Sequence, residues 1–391
     1  MPSCKVNLRT MILMVILQGA AVVLFCSWYV ELSPNNFMPS NGKVHVLVIS
    51  SCRSGSSFLG QVFNQHPSVF YLFEPAWHVW TRIPKLGARM LQMAVRDLLR
   101  SVFQCDFSTM EAYLPQKPRV SSLFHWAANR ALCSPPACPL TPRGNFSDPS
   151  RCLLACNAPG LQGVQEACST YSHVVLKVIR VLELESLYPL FQDPSLHLRI
   201  IHLVRDPRAV MLSKLRTAGN FHIDDHIILE QRRIPAAKVQ YRVLEESCHS
   251  HVRINERAIL TPPPFLKGRY KMVRYEDISF NPIKEINELY EFVGLEMTTQ
   301  LKEWIYMLTS GKREDNNPFK VSPRNATDVS QAWRRMLSHD KVKQVQEVCE
   351  RAMSLFSYRM VHSEEEQKNL DIDLLVPRKP YKFSWLPTDR I

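Results

Sequence analysis

The chain has 391 residues, and its 48 Lys and Arg outweigh 36 Asp and Glu to give a net charge of +12. That balance favours anionic ligands or surfaces, and the length accommodates one large domain or two ordinary ones. No Lys/Arg run with interleaved aromatics occurs, which argues against nucleic acid as a partner.

Residues 11–30 are almost wholly apolar and match one bilayer thickness. Lys5 and Arg9 precede this stretch and Glu31 follows it, with Trp28 and Tyr29 at the far end. By the positive-inside rule the N-terminus is cytosolic. The expected layout is a cytoplasmic tail (1–10), one transmembrane signal anchor (11–30) and a Pro/Asn-rich lumenal stem (31–43). A cleaved signal peptide is the alternative, but its apolar core would usually be shorter and no convincing small-x-small site precedes the polar stretch.

Residues 44–58 read VHVLVISSCRSGSSF. The run 44–49 is nearly all apolar, as in a buried parallel strand. A turn over 50–57 follows, and then a helical pattern through Phe58, Leu59, Val62 and Phe63. A strand, a hydroxyl-rich turn and a helix N-terminus together present backbone N–H groups to a phosphate. Gly55 lets the backbone approach closely, and Arg53 adds a fixed charge. An ordinary βα turn is the plainer reading. The Gly-Lys pair of a Walker A loop is missing.

A second strand is expected over 69–73, ending at Glu74-Pro75, and an apolar helical stripe over 90–103. Nine of the eleven cysteines lie beyond the anchor, and five of these crowd into 133–168. No His pair or C-x2-C knuckle accompanies them, so disulfides in an oxidising compartment fit better than zinc. An odd number leaves one thiol over, and Cys52 stands apart from the cluster. Residues 104–172 therefore read as a disulfide-stapled insertion. Asn145 and Asn325 begin glycosylation sequons.

Strands are expected over 173–178 and 198–204, the latter running into Arg205-Asp206-Pro207-Arg208-Ala209-Val210 and a helix over 211–216. Arg205, Arg208 and Ser213 would hold a second phosphate group; alternatively an Arg–Asp pair closes the turn. Residues 217–240 are polar and receive no element. A short strand at 270–273 and helices over 286–293, 301–307 and 341–356 follow, and Glu364–Glu366 read as a solvated face. Strands alternating with helices imply a mostly parallel sheet, whose ligands bind at the carboxyl ends of the strands. The 50–57 turn, Glu74 and the turn from Arg205 to Arg208 should therefore meet on one edge.

The motifs RSGSSF and LVRDPRAVMLS together resemble the paired signature of the Golgi carbohydrate sulfotransferases. The stretches FNQHPSVFYLFEPAWHVW, MAVRDLLRSVF, ALCSPPAC, YSHVVLK, VSQAWR and NLDIDLLVPR resemble the N-acetylglucosamine 6-O-sulfotransferases of intestinal and corneal type. The resemblance runs over 44–378 and leaves 379–391 as a C-terminal tail. It implies an α/β, P-loop-like sulfotransferase fold behind one transmembrane helix, in a type II protein of the Golgi membrane. The co-substrate would be 3′-phosphoadenylyl sulfate (PAPS), with no metal, and the partners glycan acceptors on glycoproteins; a homo-oligomer is left open. The reaction implied is sulfation of the 6-hydroxyl of N-acetylglucosamine in keratan-like or mucin-type glycans.

Carried over by position, Cys52, Arg53, Ser54, Gly55, Ser56, Ser57 and Phe58 would form the 5′-phosphosulfate loop. Arg205 and Ser213 would bind the 3′-phosphate, with Asp206, Pro207, Arg208, Ala209 and Val210 shaping that turn. Arg53 would face the bridging oxygen. Glu74 would be the general base, by analogy with a Glu similarly placed in the related tyrosylprotein sulfotransferases; His66, His78 and His173 are weaker candidates. Trp77, His78, Trp80 and Trp333 are candidates to stack on sugar faces. The sequence departs from the subfamily at three places: Cys52 replaces Trp, Val178 replaces Glu, and Lys214 replaces Arg. Two rival readings follow, a glycan- or nucleotide-binding homologue without turnover and a galactose or N-acetylgalactosamine 6-O-sulfotransferase.

Overall fold

The structure, a computed structural model, describes residue 18 and residues 42–114, 129–146, 149–156, 161–217, 219–312 and 321–377. The expected tail, nearly all of the anchor and the stem up to residue 41 lie outside the described residues, as does the segment 379–391. Among the described residues, no helix is long and apolar enough to cross a membrane.

Five strands form one sheet: β1 (Val44–Ile49), β2 (Val69–Phe73), β3 (His173–Val178), β4 (His197–Val204) and β5 (Tyr270–Arg274). Their order is β2-β3-β1-β4-β5, and every pairing is parallel. The physical cause is visible in β1, which is buried along its whole length. Val44, Val46 and Val48 enter one apolar cluster with Leu59, Val62 and Phe63 of helix α1 (Ser56–Asn64). Leu47 and Ile49 enter the opposite cluster. There they meet Trp80 of α2 (Trp77–Arg82) and Leu91, Val95 and Leu98 of α3 (Ala88–Phe103). Alternating side chains thus face two helical layers, which is why the strand reads as an apolar run broken only by His45.

The chain continues into α4 (Pro207–Leu215), α5 (His222–Ile228), α6 (Ala236–Ile259) and α7 (Tyr275–Phe280). The region 217–240, given no element from sequence, therefore holds α5 and the start of α6. The 24-residue α6 presents a narrow apolar stripe, including Val243, Leu244 and Val252, on an otherwise polar helix. A disulfide joins its Cys248 to Cys349 of the helix His339–Leu355.

Three further disulfides, Cys105–Cys168, Cys133–Cys152 and Cys138–Cys156, staple the 104–172 region. All six of these cysteines lie in the main apolar cluster. The Asn129 side chain accepts from Phe73 N, and the wholly buried Arg130 donates to Asn64 O and His66 O. This region is packed onto the sheet. Cys52 is left as the free cysteine among the described residues, as the odd count led us to expect.

Two buried histidines make stability depend on pH. His45 Nδ1 accepts from His197 N, and His66 Nδ1 accepts from Ser68 N. Protonating either nitrogen would break its bond, and burial pushes both rings down to about 4. The unfolded chain takes up these protons below about 6.5 while the folded chain does not. Stability is therefore full above that value and falls as pH drops toward about 4, by up to ~1.4 kcal/mol per pH unit for each ring. Urea unfolding at pH 7.5 and pH 5 should show a lower midpoint at pH 5; equal midpoints would contradict this.

Candidate active site at the carboxyl edge of the sheet

Strands β1 and β4 are neighbours, yet their chains leave in opposite directions, β1 toward β2 and β4 toward β5. Such a switch point opens a crevice at the carboxyl edge, and the two basic turns meet there. Ser50 Oγ donates to Leu203 O at 2.8 Å and ties the strand ends together. Arg53 Nε donates to Ser213 Oγ at 2.9 Å. Arg205 Nη1 donates to Arg53 O at 3.1 Å, and its Nη2 to Val329 O at 3.2 Å. The expected convergence of the 50–57 turn with Arg205 and Ser213 is what the fold produces.

The first turn leaves several backbone N–H groups open. Arg53 has φ 68° and Gly55 φ 88°, both in the left-handed region. Gly55 is the N-cap of α1 and supplies no side-chain cap, so the first-turn N–H groups of Ser56, Ser57 and Phe58 have no intrahelical acceptor. A Cβ on Gly55 would sit 2.3 Å from the Tyr275 ring, so the turn and α7 admit only glycine there. Phe58 meets the same ring edge-on at 6.4 Å, and the Arg205 guanidinium lies 4.4 Å above it. Ser54 and Ser56 are buried, and Ser51 and Ser54 share a hydrogen bond. Burial, then the charges of Arg205 and Arg324, pull the Arg53 pKa below its ordinary value. Arg205 Nε is buried without a hydrogen-bond partner. Like charges held together beside an unused donor fit a polyanion such as the phosphosulfate nucleotide.

Cys52 is half-buried in this turn, and desolvation pushes its thiol up to about 11. It therefore stays a neutral thiol, less reactive than an exposed one. Val178 is wholly buried in the apolar layer. Lys214 is buried and pairs with Asp225 at 3.1 Å.

The second turn decides between the two readings of Arg208 and corrects that of Trp333. Arg208 is fully buried and bidentate on Asp206, with Nη2–Oδ2 at 2.7 Å. It also donates to Gln346 Oε1 and Arg359 O and lies 4.0 Å above the Trp333 ring. It is thus the Arg–Asp pair that closes the turn rather than a phosphate ligand. Trp333 is only 2% exposed beneath it, so Trp333 is core rather than a platform for sugar. Asp206 also caps α4 by accepting from Arg208 N, with Pro207 in the first helical turn. Ala209 and Val210 anchor the turn in two apolar clusters.

Glu74, at the end of β2, lies on the same edge. It has φ 52° and is 5% exposed. Its Oε1 accepts from Lys177 Nζ at 2.5 Å and its Oε2 from Arg180 Nη1 at 2.7 Å. Arg53 and Glu74, the two expected catalytic residues, are thus both non-glycine residues held at positive φ, a conformation that clusters at functional sites. Trp77 beside it is 40% exposed, whereas His78 and Trp80 are buried. Of the aromatic candidates, Trp77 alone offers an open face. His66 and His173 point away from the edge, to Glu296 O and Val293 O.

Three participants escaped the sequence reading: Tyr275, Glu276 and Asp224. The carboxyl-end rule applied to β5 would have found the first two. Glu276 accepts from Asp206 N and from the Tyr358 hydroxyl, and burial followed by the Asp206 charge pushes it up to about 7. Both sequon asparagines are exposed; Asn325 Oδ1 caps the helix Ala326–Gln331.

A sulfotransferase domain model matches residues 43–357. Human carbohydrate sulfotransferase 6 is 52% identical over 357 residues, covering 90% of each chain. The chain belongs to the carbohydrate sulfotransferases. Mouse carbohydrate sulfotransferase 5 is 50% identical, covering 96% of this chain and 95% of its own, and mouse carbohydrate sulfotransferase 4 is 46% identical, covering 92% and 93%. Among solved structures, the sulfotransferase domain of the curacin biosynthetic pathway covers 82% of this chain and 100% of its own, at 15% identity and TM-score 0.46. Membership of this family makes PAPS the co-substrate.

Proposed function

We propose that the protein transfers the sulfuryl group of PAPS to the 6-hydroxyl of N-acetylglucosamine in keratan-like or mucin-type glycans. The reading rests on the Arg53–Ser213 bond, which joins the two anion turns across 160 positions of sequence at adjacent strand ends. In-line transfer forms a bond from the sugar oxygen to sulfur and breaks the bond from sulfur to the phosphate oxygen. Charge collects on the leaving oxygen, as in phosphoryl transfer. Arg53 and the α1 N-terminus stabilise that charge. Arg205 and Ser213 hold the 3′-phosphate. Glu74 takes the hydroxyl proton as general base, and Trp77 offers the sugar an aromatic face. The enzyme would work in the Golgi lumen as a type II protein, with 11–30 as anchor, 44–378 as catalytic domain and glycans on Asn145 and Asn325.

The test is sulfate transfer by the full-length chain from labelled PAPS to N-acetylglucosamine-terminated and galactose-terminated acceptors. Transfer to the first is expected. Preference for the galactose acceptor would move the assignment to that hydroxyl. Nucleotide binding with no transfer to either would favour a homologue without turnover, the reading that Cys52 and Val178 support.

A further inference from the structure

Arg180 is shared between two carboxylates. Its Nη1 donates to Glu74 Oε2 at 2.7 Å, and its Nη2 lies 2.8 Å from Asp224 Oδ1. It is 3% exposed, with its guanidinium 5.5 Å from the Trp80 ring. The second contact is close but not aligned as a hydrogen bond, since Asp224 Oδ1 and Arg180 Nε are buried without hydrogen-bond partners. Asp224 comes from α5, 150 residues from Glu74 in sequence, and α5 is anchored to α4 through Asp225 and Lys214.

We propose that Asp224 is a positioning residue for sulfuryl transfer, holding Arg180 between two carboxylates so that Glu74 does not bear its full charge. The inference rests on Glu74 being the base. Lys177 and Arg180 face Glu74 from the end of β3. Asp224 faces Arg180 from α5, with Asp225 and Lys214 behind, and Tyr71 and Cys52 are further titratable neighbours. Lys177, Arg180, Glu74 and Asp224 together sum to zero charge. Without Asp224 the cluster is left with a buried excess of one positive charge, and Glu74 alone answers both cations. A carboxylate pulled harder by cations is a weaker base. Burial and the nearby Glu74 charge raise the Asp224 carboxyl above its usual range despite Arg180, in keeping with two carboxylates close enough to feel each other.

The experiment is the pH profile of kcat for the full-length enzyme and its Asp224→Asn, Asp224→Glu and Glu74→Gln variants. Asp224→Asn is expected to lower kcat about tenfold and move the acid limb down by roughly one pH unit, with KM for PAPS nearly unchanged and partial recovery in Asp224→Glu. Loss of kcat at every pH with the limb unmoved would mean that Asp224 only packs α5, and would overturn the inference. Glu74→Gln separates the two readings. If it loses at least a hundredfold while Asp224→Asn leaves the limb in place, only the inference about Asp224 fails. If Glu74→Gln keeps its rate, the base assignment fails and the role of Asp224 falls with it.

Discussion

Arg53→Ala is expected to lower kcat/KM for sulfuryl transfer by about 10²–10³-fold, the cost of removing one preorganised donor from developing negative charge. Arg53 is aimed into the crevice by its own left-handed backbone and by the Ser213 hydroxyl. Truncation removes the charge and the joint between the two anion turns together. Arg53→Lys keeps a charge but loses the planar group that can reach Ser213 and the nucleotide at once, so it should recover only part of the loss. Ser213→Ala should weaken nucleotide binding with a smaller effect on kcat. Steady-state kinetics in PAPS, beside thermal unfolding of each variant, measure these effects. An Arg53→Ala enzyme with normal folding and normal kcat/KM would remove Arg53 from the mechanism.

Arg208→Ala should act on stability instead. Arg208 answers Asp206, Gln346 and the Arg359 carbonyl in a site from which water is excluded. Removing it leaves Asp206 buried without its counter-ion, a loss of about 3–5 kcal/mol, and Trp333 loses the cation stacked on it. The urea midpoint of the full-length protein should fall sharply, while the folded fraction keeps its affinity for 3′-phosphoadenosine 5′-phosphate. A normal midpoint with lost affinity would return Arg208 to the phosphate site.

These two arginines show where sequence reading works and where it stops. Arg53 sits in a turn whose neighbours in sequence, a buried strand, a glycine and a helix start, are sufficient to place it at the carboxyl edge of the sheet. Arg208 stands in an equally basic turn. Its side-chain partners Gln346 and Trp333, and the Arg359 carbonyl, lie more than a hundred residues away, so no local pattern could separate ligand from structural ion pair. Trp333 was misread for the same reason, because a core aromatic and a sugar platform share one residue type. Helix α6 escaped because its apolar stripe is narrow and broken by charge.

Local sequence determined the five strands to within a residue at either end, since burial on both faces demands runs rich in aliphatic and β-branched residues. Parity also gave one leftover thiol, and its distance from the cysteine cluster pointed to Cys52. Packing alone decided which cysteines pair, that Tyr275 closes over Gly55, and that Arg180 is divided between Glu74 and Asp224. Those contacts join elements far apart in the chain, and a side chain's choice among distant partners is set by geometry and desolvation rather than by its neighbours in sequence.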